Sequence, residues 1–386
     1  MPLPGDLRRR TAWTPLTGPA HSIALEVLLD GPLPRIELAR RLELSPGSLT
    51  RLSKPLLDTG LLVETDSVCD PVSGRWTRPL DVDESAHTFV GVKLTADTAH
   101  AVLTTLRAGV VAAVEAPLDG RAPAAVAATV ARLVRDLAGD ALERVRAVGV
   151  GLGGLTDGAV VRSALYLGWE DVPLRALLEA ELGLPVVVDN DVLSLTRAEQ
   201  WFGAAGRCAH FAVVVVGAGI GHGLVVHGEV LDRPDAGVGL LGHHPVDPHG
   251  PLCPEGHVGC AEAVLTTAAI ELRAGLALRR AVTFEQVLEL ADHDPLARRV
   301  VDDAGRSLGT LIAAVANTAM PEKVVVSGEN ARLAEVAHEA LREGIRAGRH
   351  RLASPLVVDV QLTGFAEWAR GAAVTAIQTF VLGRRR

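Results

Sequence analysis

Residues 21–57, HSIALEVLLDGPLPRIELARRLELSPGSLTRLSKPLL, contain three runs of apolar residues at helical spacing. Such spacing predicts three short helices, and the runs are Ile23/Val27/Leu28, Ile36/Ala39/Leu42 and Leu49/Leu52/Leu56. Ser45 is a suitable N-cap for the third helix, with Pro46 at its first position. Residues 42–45 (LELS) then form the tight turn of a helix-turn-helix.

The third predicted helix presents small polar and basic side chains away from its leucine stripe. Side chains of this kind reach base edges and phosphates in a DNA major groove. We expect Pro55 to bend this helix or end it early. The residues predicted to contact DNA from this helix are Ser45, Gly47, Ser48, Thr50, Arg51 and Lys54.

The stretch after Gly60, LLVETDSVCDPVSGRWTRPLDVD (61–83), reads as strand, turn and strand. This pattern predicts a wing with Arg75 and Arg78 near its tip, where they would enter the adjacent minor groove. The alternative is that residues 20–80 form a packing or dimerisation module whose basic side chains are only a solvated face. DNA binding is favoured because the turn, caps, polar face and basic wing agree.

Charge is divided unevenly along the chain, whose formal net charge is −8. Residues 1–80 hold ten Lys/Arg and nine Asp/Glu, net +1, which leaves 28 and 37, net −9, for residues 81–386. A near-neutral head is therefore attached to an acidic body. The body is not expected to bind nucleic acid.

The composition of the 386-residue chain is typical of an α/β protein with an aliphatic core, since 48% of its residues are hydrophobic and 22% charged. Its length allows two or three domains. Four cysteines are too few and too scattered for a disulfide framework. No apolar run is long enough to span a bilayer and no signal peptide is recognisable, so we expect a cytoplasmic protein without membrane partners.

From residue 87 onward, apolar β runs alternate with helical stretches, and a second such set begins at residue 211. The repetition predicts two α/β lobes with a small-molecule cleft between them. We predict a winged helix-turn-helix over residues 1–83, lobe 1 over 84–200 and lobe 2 over 201–386, with the C-terminal helix returning to lobe 1.

Three stretches of this body resemble the ROK family (repressors, open reading frames and sugar kinases), which has an actin-like ATPase and sugar kinase fold. Residues 167–203 resemble the segment bearing the family's Asn-Asp pair, residues 217–230 its second phosphate loop, and residues 239–260 its Gly-Glu-x-Gly-His and cysteine-rich signature. The head and body together resemble the repressor branch of the family.

The resemblance implies a sugar site at Asn190, Asp191, His243 and Glu262, where Asp191 would be the general base in a kinase. The alternative for Asn190 and Asp191 is a helix cap. Leu240 occupies the position of the family's glutamate, which implies the loss of one polar contact to the sugar.

The first phosphate loop of family kinases carries an aspartate and a glycine pair, whereas this chain has Lys93, Thr95 and Ala96 there. The resemblance therefore implies a non-catalytic, kinase-like body without ATP turnover. Glycines of the other nucleotide loops persist, and tight turns alone also explain them; these vestigial positions are Gly217, Gly219, Gly221 and Gly328.

Family members hold a structural zinc with one His and three Cys, and three of these positions are matched by His243, Cys253 and Cys260. Glu255 stands at the fourth position and neighbouring His257 is another candidate, so a tetrahedral zinc site stays chemically possible. The alternative is a metal-free loop with two reduced cysteines.

These observations predict a transcriptional regulator, a repressor of carbohydrate-related genes, that binds double-stranded operator DNA. A sugar or sugar derivative in the interlobe cleft would modulate its DNA affinity, and a dimer or tetramer would read paired half-sites. The alternatives are an ATP-dependent sugar kinase with a fused DNA-binding domain, and a body that docks a transporter component.

Overall fold

The computed structural model describes residues 16–69, 76–206 and 208–383. The chain divides into two compact units, one formed by Met1–Ser194 with Trp368–Arg386 and the other by Leu195–Glu367. No helix in the described ranges is both long enough and apolar enough to cross a membrane. The domain boundaries predicted from the sequence stay predictions.

The head of the first unit has the three predicted helices, α1 (Gly18–Asp30), α2 (Arg35–Arg41) and α3 (Pro46–Asp58). Their buried residues include Ile23, Leu38 and Leu49, so each helix contributes its apolar stripe to one small core. The wing follows as four short strands, in which β1 (Leu62–Glu64) pairs with β4 (Leu80–Val82) and β2 (Val68–Cys69) pairs with β3 (Trp76–Thr77), both antiparallel. The winged helix-turn-helix is thereby confirmed.

Of the two expectations for Pro55, an early end of α3 is wrong, because the helix continues to Asp58, while a bend stays a prediction. Proline in a helix interior removes one hydrogen bond and crowds the preceding turn. Here the next residue, Leu56, is 2% exposed in the core of the head. Burial of a leucine side chain contributes about 1.5–3 kcal/mol, which offsets this cost.

The rest of the first unit is built on a five-stranded sheet. Its strands are β5 (Thr88–Leu94), β6 (Thr98–Thr105), β7 (Val110–Pro117), β8 (Val145–Leu152) and β12 (Val186–Asn190), and they lie in the order β12-β8-β5-β6-β7. Helices α4 (Pro123–Ala138) and α5 (Leu174–Leu182) pack their apolar faces on it. Gly91 and Gly149 lie so close to the backbone of Ala369 and Ala372 that a Cβ atom at either glycine would overlap it. A separate three-stranded sheet consists of β9 (Leu155–Thr156), β10 (Val161–Ala164) and β11 (Trp169–Val172).

The second unit has a sheet in the order β15-β14-β13-β16-β17. Its strands are β13 (Phe211–Val216), β14 (Ile220–Val226), β15 (Glu229–Val230), β16 (Lys323–Ser327) and β17 (Val357–Val360). Buried residues of the helices between β15 and β17 form its core with β13 and β16. These helices are α7 (Ala261–Leu265), α8 (Thr267–Leu278), α9 (Phe284–Leu290), α10 (Pro295–Ala319), α11 (Arg332–Val336) and α12 (His338–Gly348).

Two further helices contain the division between the units, namely α6 (Asp191–Phe202) and α13 (Phe365–Ile377). Both the observed strand orders and the mixture of parallel and antiparallel pairs agree with a two-lobed α/β body. The head is thus followed by two α/β units, as the predicted fold class requires.

Candidate functional site

Helix α3 begins as the sequence predicts, because the Ser45 hydroxyl accepts a hydrogen bond from the Ser48 backbone N–H at 3.2 Å. Pro46 occupies the first helical position, where its missing N–H costs nothing. Among the residues predicted to contact DNA from this helix, Ser48 is partly buried, while Ser45, Gly47, Thr50, Arg51 and Lys54 are exposed.

The arginines of α2 differ from the cations of α3 in what they contact. Arg40 and Arg41 both hydrogen-bond to Glu37, and these bonds lower the pKa of Glu37 to about 2. Arg51 and Lys54 make no ion pair within the described ranges. The charges of the α2 arginines are thus paired within the head.

Of the two wing arginines predicted to contact DNA, only Arg78 lies within the described residues. The Arg78 side chain is 65% exposed and lies 3.7 Å from Glu64, a distance at which an exposed pair contributes little. Trp76, beside it on β3, is 71% exposed. Arg75 lies outside the described residues.

Arg107, in the turn between β6 and β7, connects the head to the sheet of the first unit. Its guanidinium donates hydrogen bonds to the backbone carbonyls of Val27 and Leu28 in α1, both at 2.9 Å. It also contacts the carboxylates of Asp81 at 2.5 Å and Glu84 at 2.9 Å. Cations near a helix C-terminus stabilise the last carbonyls, so Arg107 holds α1 in place.

Asn190, at the end of β12, has a structural role at the start of α6. Its Oδ1 accepts hydrogen bonds from the backbone N–H groups of Val192 at 2.9 Å and Leu193 at 3.1 Å. Its Nδ2 donates to the Gly154 carbonyl at 3.0 Å. Asn190 is therefore a helix cap.

Asp191 is the first residue of α6 and forms a buried ion pair with Lys93 of β5. The Lys93 Nζ contacts the Asp191 Oδ2, and both residues are 7% exposed. The same ammonium lies 5.0 Å from the ring centroid of Trp368, within the range of a cation–π contact. The sequence identified Lys93 only as the replacement of an aspartate and did not indicate its partner.

The β5–β6 turn, where family kinases carry a phosphate loop, is closed by its own hydrogen bonds. The Thr95 N–H donates to the Thr98 carbonyl at 2.9 Å, and the Thr95 hydroxyl lies 3.1 Å from Asp97 Oδ1. Thr95 and Ala96 thus lie in a hairpin turn in which the Thr95 N–H is engaged by the Thr98 carbonyl.

Two of the vestigial nucleotide-loop glycines have steric reasons to be glycine. A Cβ atom at Gly217 would overlap the Glu329 carboxylate, and one at Gly328 would meet the Val216 backbone. Gly328 also has φ of 104°, a conformation that other residues rarely adopt. Gly219 lies in the turn before β14, where its carbonyl accepts a hydrogen bond from the Gly217 N–H at 3.1 Å, and Gly221 lies in β14 opposite Val215. Gly217, Gly219 and Gly328 fit the turn explanation without requiring a nucleotide.

His243 and Glu262 lie near one another in the second unit, at the end of the 3-10 helix Leu240–His243 and in the first turn of α7. Burial raises the pKa of Glu262, while the charge of His243 acts in the opposite direction. Leu240 is 57% exposed and offers no polar atom from its side chain.

His243, Cys253 and Cys260 form a cluster whose potential ligand atoms all lie within 4.8 Å of one another. His257 lies beside this cluster, because its Nδ1 is 3.5 Å from the Cys253 Sγ and its ring centroid is 4.7 Å from that of His243. Burial raises the pKa of Cys260; for Cys253, burial is outweighed by hydrogen bonds, chiefly from His257, that lower its pKa. Two sulfurs and two imidazoles are a donor set suited to zinc.

A family model for the ROK family matches residues 89–378. The chain belongs to the ROK family. Over 328 residues it is 29% identical to the DNA-binding transcriptional dual regulator NagC of Escherichia coli (strain K12), covering 80% of each chain. It is 25% identical to the DNA-binding transcriptional repressor Mlc of the same strain, covering 82% of each chain.

Among solved structures, a ROK family transcriptional regulator described as a homologue of E. coli Mlc superimposes with a TM-score of 0.81 and 25% identity. The match covers 93% of this chain and 95% of that one, which includes the head. A ROK hexokinase from Thermus thermophilus has a TM-score of 0.65 and 31% identity, covering 75% of this chain and 98% of that one. Regulators and kinases are thus both relatives.

Proposed function

We propose that this ROK protein is a sugar-responsive transcriptional regulator that represses carbohydrate-related genes and does not transfer phosphate. The observation that carries the proposal is the exposed face of α3, where Arg51 and Lys54 have no ion-pair partner among the described residues. A relative whose match covers 82% of this chain is named as a DNA-binding transcriptional repressor. The proposed effector contacts are Asn190, Asp191, His243 and Glu262, and the proposed assembly is a dimer or tetramer.

Operator binding by α3 is tested with fluorescence anisotropy of the protein on its own upstream DNA at fixed salt. Arg51→Ala is expected to weaken specific binding by about 1–3 kcal/mol if it contacts a base, or to reduce the salt dependence by about one ion if it contacts phosphate. The matched control is Arg144→Ala, an exposed arginine distant in sequence from the head. Equal losses in both variants would contradict a specific role for α3.

The same titration, repeated with a panel of free sugars, tests the sensing part of the proposal. Release of operator DNA by one sugar is the expected result, because a ligand that prefers one conformation of the body shifts DNA affinity. If the protein binds its DNA specifically but no sugar changes that binding, the proposed regulator role would stand and the proposed sugar response would be rejected. Normal release by a cell extract without sugar would favour the transporter-docking alternative.

The sugar kinase is the alternative of a different class, and the kinase relatives keep it open. Two contacts support a non-catalytic body instead. The Lys93 ammonium contacts the carboxylate that would have to accept a proton, and the hairpin turn at Thr95 uses its own N–H group. Phosphoryl transfer from ATP to a hexose, abolished by Asp191→Asn, would establish the alternative.

We propose that the His243, Cys253 and Cys260 cluster holds zinc with His257 as the fourth ligand. His257 lies against Cys253 and His243, whereas no contact with the cluster is described for Glu255; both His257 and Glu255 are exposed. His257→Ala is expected to lower zinc affinity by more than about tenfold because three ligands leave the tetrahedral site incomplete. The zinc affinity is measured by competition with a chromophoric chelator. His249→Ala, in the same loop, is the control. A larger loss in Glu255→Ala would assign the fourth position to the carboxylate.

A further inference from the structure

A pocket of about 710 Å³ lies in the second unit beside β17, the edge strand of its sheet. Its walls are formed mainly by α12, by β17 and by residues of the loop 349–356 that joins them. Volumes of about 300–1,000 Å³ are typical of pockets that bind small molecules. None of the proposed effector contacts and none of the vestigial loop glycines lines this pocket, so it is a separate site.

The pocket contains positive charge that its surroundings do not neutralise. It is lined by four arginines, Arg342, Arg346, Arg349 and Arg351, and none of them forms an ion pair within residues 16–69, 76–206 and 208–383. Arg342 and Arg346 are both exposed and lie one helical turn apart on α12, where like charges destabilise a helix. The Arg349 guanidinium is held in place by a hydrogen bond to the Ser354 carbonyl at 3.1 Å.

No aspartate or glutamate lines the pocket in the described part of the chain. Carboxylates on α12 and β17 contact other side chains, namely Glu339 with His338 at 3.1 Å, Glu343 with Arg306 at 3.0 Å and Asp359 with Lys323 at 3.3 Å. Successive residues of a strand point to opposite faces, so Asp359 points away from the pocket that its neighbours Val358 and Val360 line. The four arginines are therefore available to an anion.

Aliphatic side chains form the rest of the wall, including Leu341, Ile345, Leu356, Val358 and Val360. Apolar surface of this kind is buried favourably by the carbon skeleton of a ligand and gains nothing from an inorganic ion. Guanidinium groups bind phosphate through paired N–H donors, and a phosphate ester carries about two negative charges near neutral pH. We propose that this pocket binds an organic phosphate, a sugar phosphate or a nucleotide, with its phosphate on the arginines. The proposal does not rest on sugar sensing by the proposed effector contacts.

The test is isothermal titration calorimetry of the full chain at fixed salt with glucose 6-phosphate, fructose 1,6-bisphosphate, AMP and ATP, which distinguish sugar phosphates from nucleotides. We expect at least one of them to bind at least about tenfold more tightly than inorganic phosphate, because only the organic compounds reach the aliphatic wall. Arg342→Gln combined with Arg346→Gln is expected to weaken that compound by at least about tenfold, since two charge-assisted contacts are lost. Arg342→Lys combined with Arg346→Lys keeps the charge but not the planar fork, and is expected to recover part of the affinity.

The matched control is Arg299→Gln combined with Arg332→Gln, which removes two exposed arginines of α10 and α11 from the same unit. Neither residue lines the pocket, so the affinity is expected to stay at the wild-type value. An equal loss in this control would overturn the proposal, because it would report the net charge of the unit rather than the pocket. Unchanged binding by the Arg342 and Arg346 double variant, binding by none of the four compounds, or equal affinity for inorganic phosphate would overturn it as well. Each of these results leaves the operator and free-sugar titrations unaffected.

Discussion

Replacing Lys93 by methionine is expected to lower the free energy of unfolding by about 3–5 kcal/mol, the cost of leaving one member of a buried ion pair without its partner. Lys93 and Asp191 are each 7% exposed, so water cannot readily solvate the carboxylate that remains. Methionine has nearly the length of lysine, which limits the loss of packing. Trp368, next to the ammonium, provides a fluorescence signal for urea unfolding.

A double variant that removes both charges tests whether the stability loss in Lys93→Met comes from the unpaired charge of Asp191. Lys93→Met combined with Asp191→Asn is expected to recover a large part of the lost stability, because no uncompensated buried charge remains. Lys54→Met, at an exposed position of α3, serves as the control and is expected to change stability by less than about 0.5 kcal/mol. A single-variant loss as small as that of the control would show that Asp191 finds another partner or solvent.

The second large effect is expected at Arg107, whose replacement by methionine should cost about 2–4 kcal/mol in the stability of the head. The guanidinium donates to the Val27 and Leu28 carbonyls and contacts two carboxylates. Hydrogen bonds that involve a charged group each contribute about 1.5–3 kcal/mol, and neighbouring ones are not additive. The Arg107 side chain is 21% exposed, so solvent replaces only part of what is lost.

Amide hydrogen exchange locates this effect. Faster exchange is expected in the last turn of α1 and at β4, with no change in the strands of the second unit, because local opening follows the loss of local contacts. Arg132→Met is the control, since that arginine is exposed and lies 3.6 Å from its nearest carboxylate. Uniform acceleration across the chain would mean that Arg107 supports the fold as a whole rather than the attachment of the head.

The elements whose signals are local in sequence were predicted well. Apolar spacing identified α1, α2 and α3, and the Ser45-Pro46 pair identified the start of α3, because helix periodicity and capping depend on residues within four positions of one another. The Asn190 cap was foreseen as one of two alternatives for the same reason. The expected early end of α3 at Pro55 was wrong because the local penalty of the proline is offset by the burial of Leu56 in a core that three helices build together.

By itself, the sequence determined the fold class, the winged head, the family and the residue types near the proposed sites. Only the tertiary structure decided which of these residues meet. Lys93 and Asp191 are 98 positions apart, and Arg107 reaches Val27 across 80. His257 likewise contacts His243 and Cys253 only because of the conformation of the loop that contains them. The physical reason is that periodicity reports each element's buried face, whereas a contact between distant side chains depends on how sheets and helices pack together.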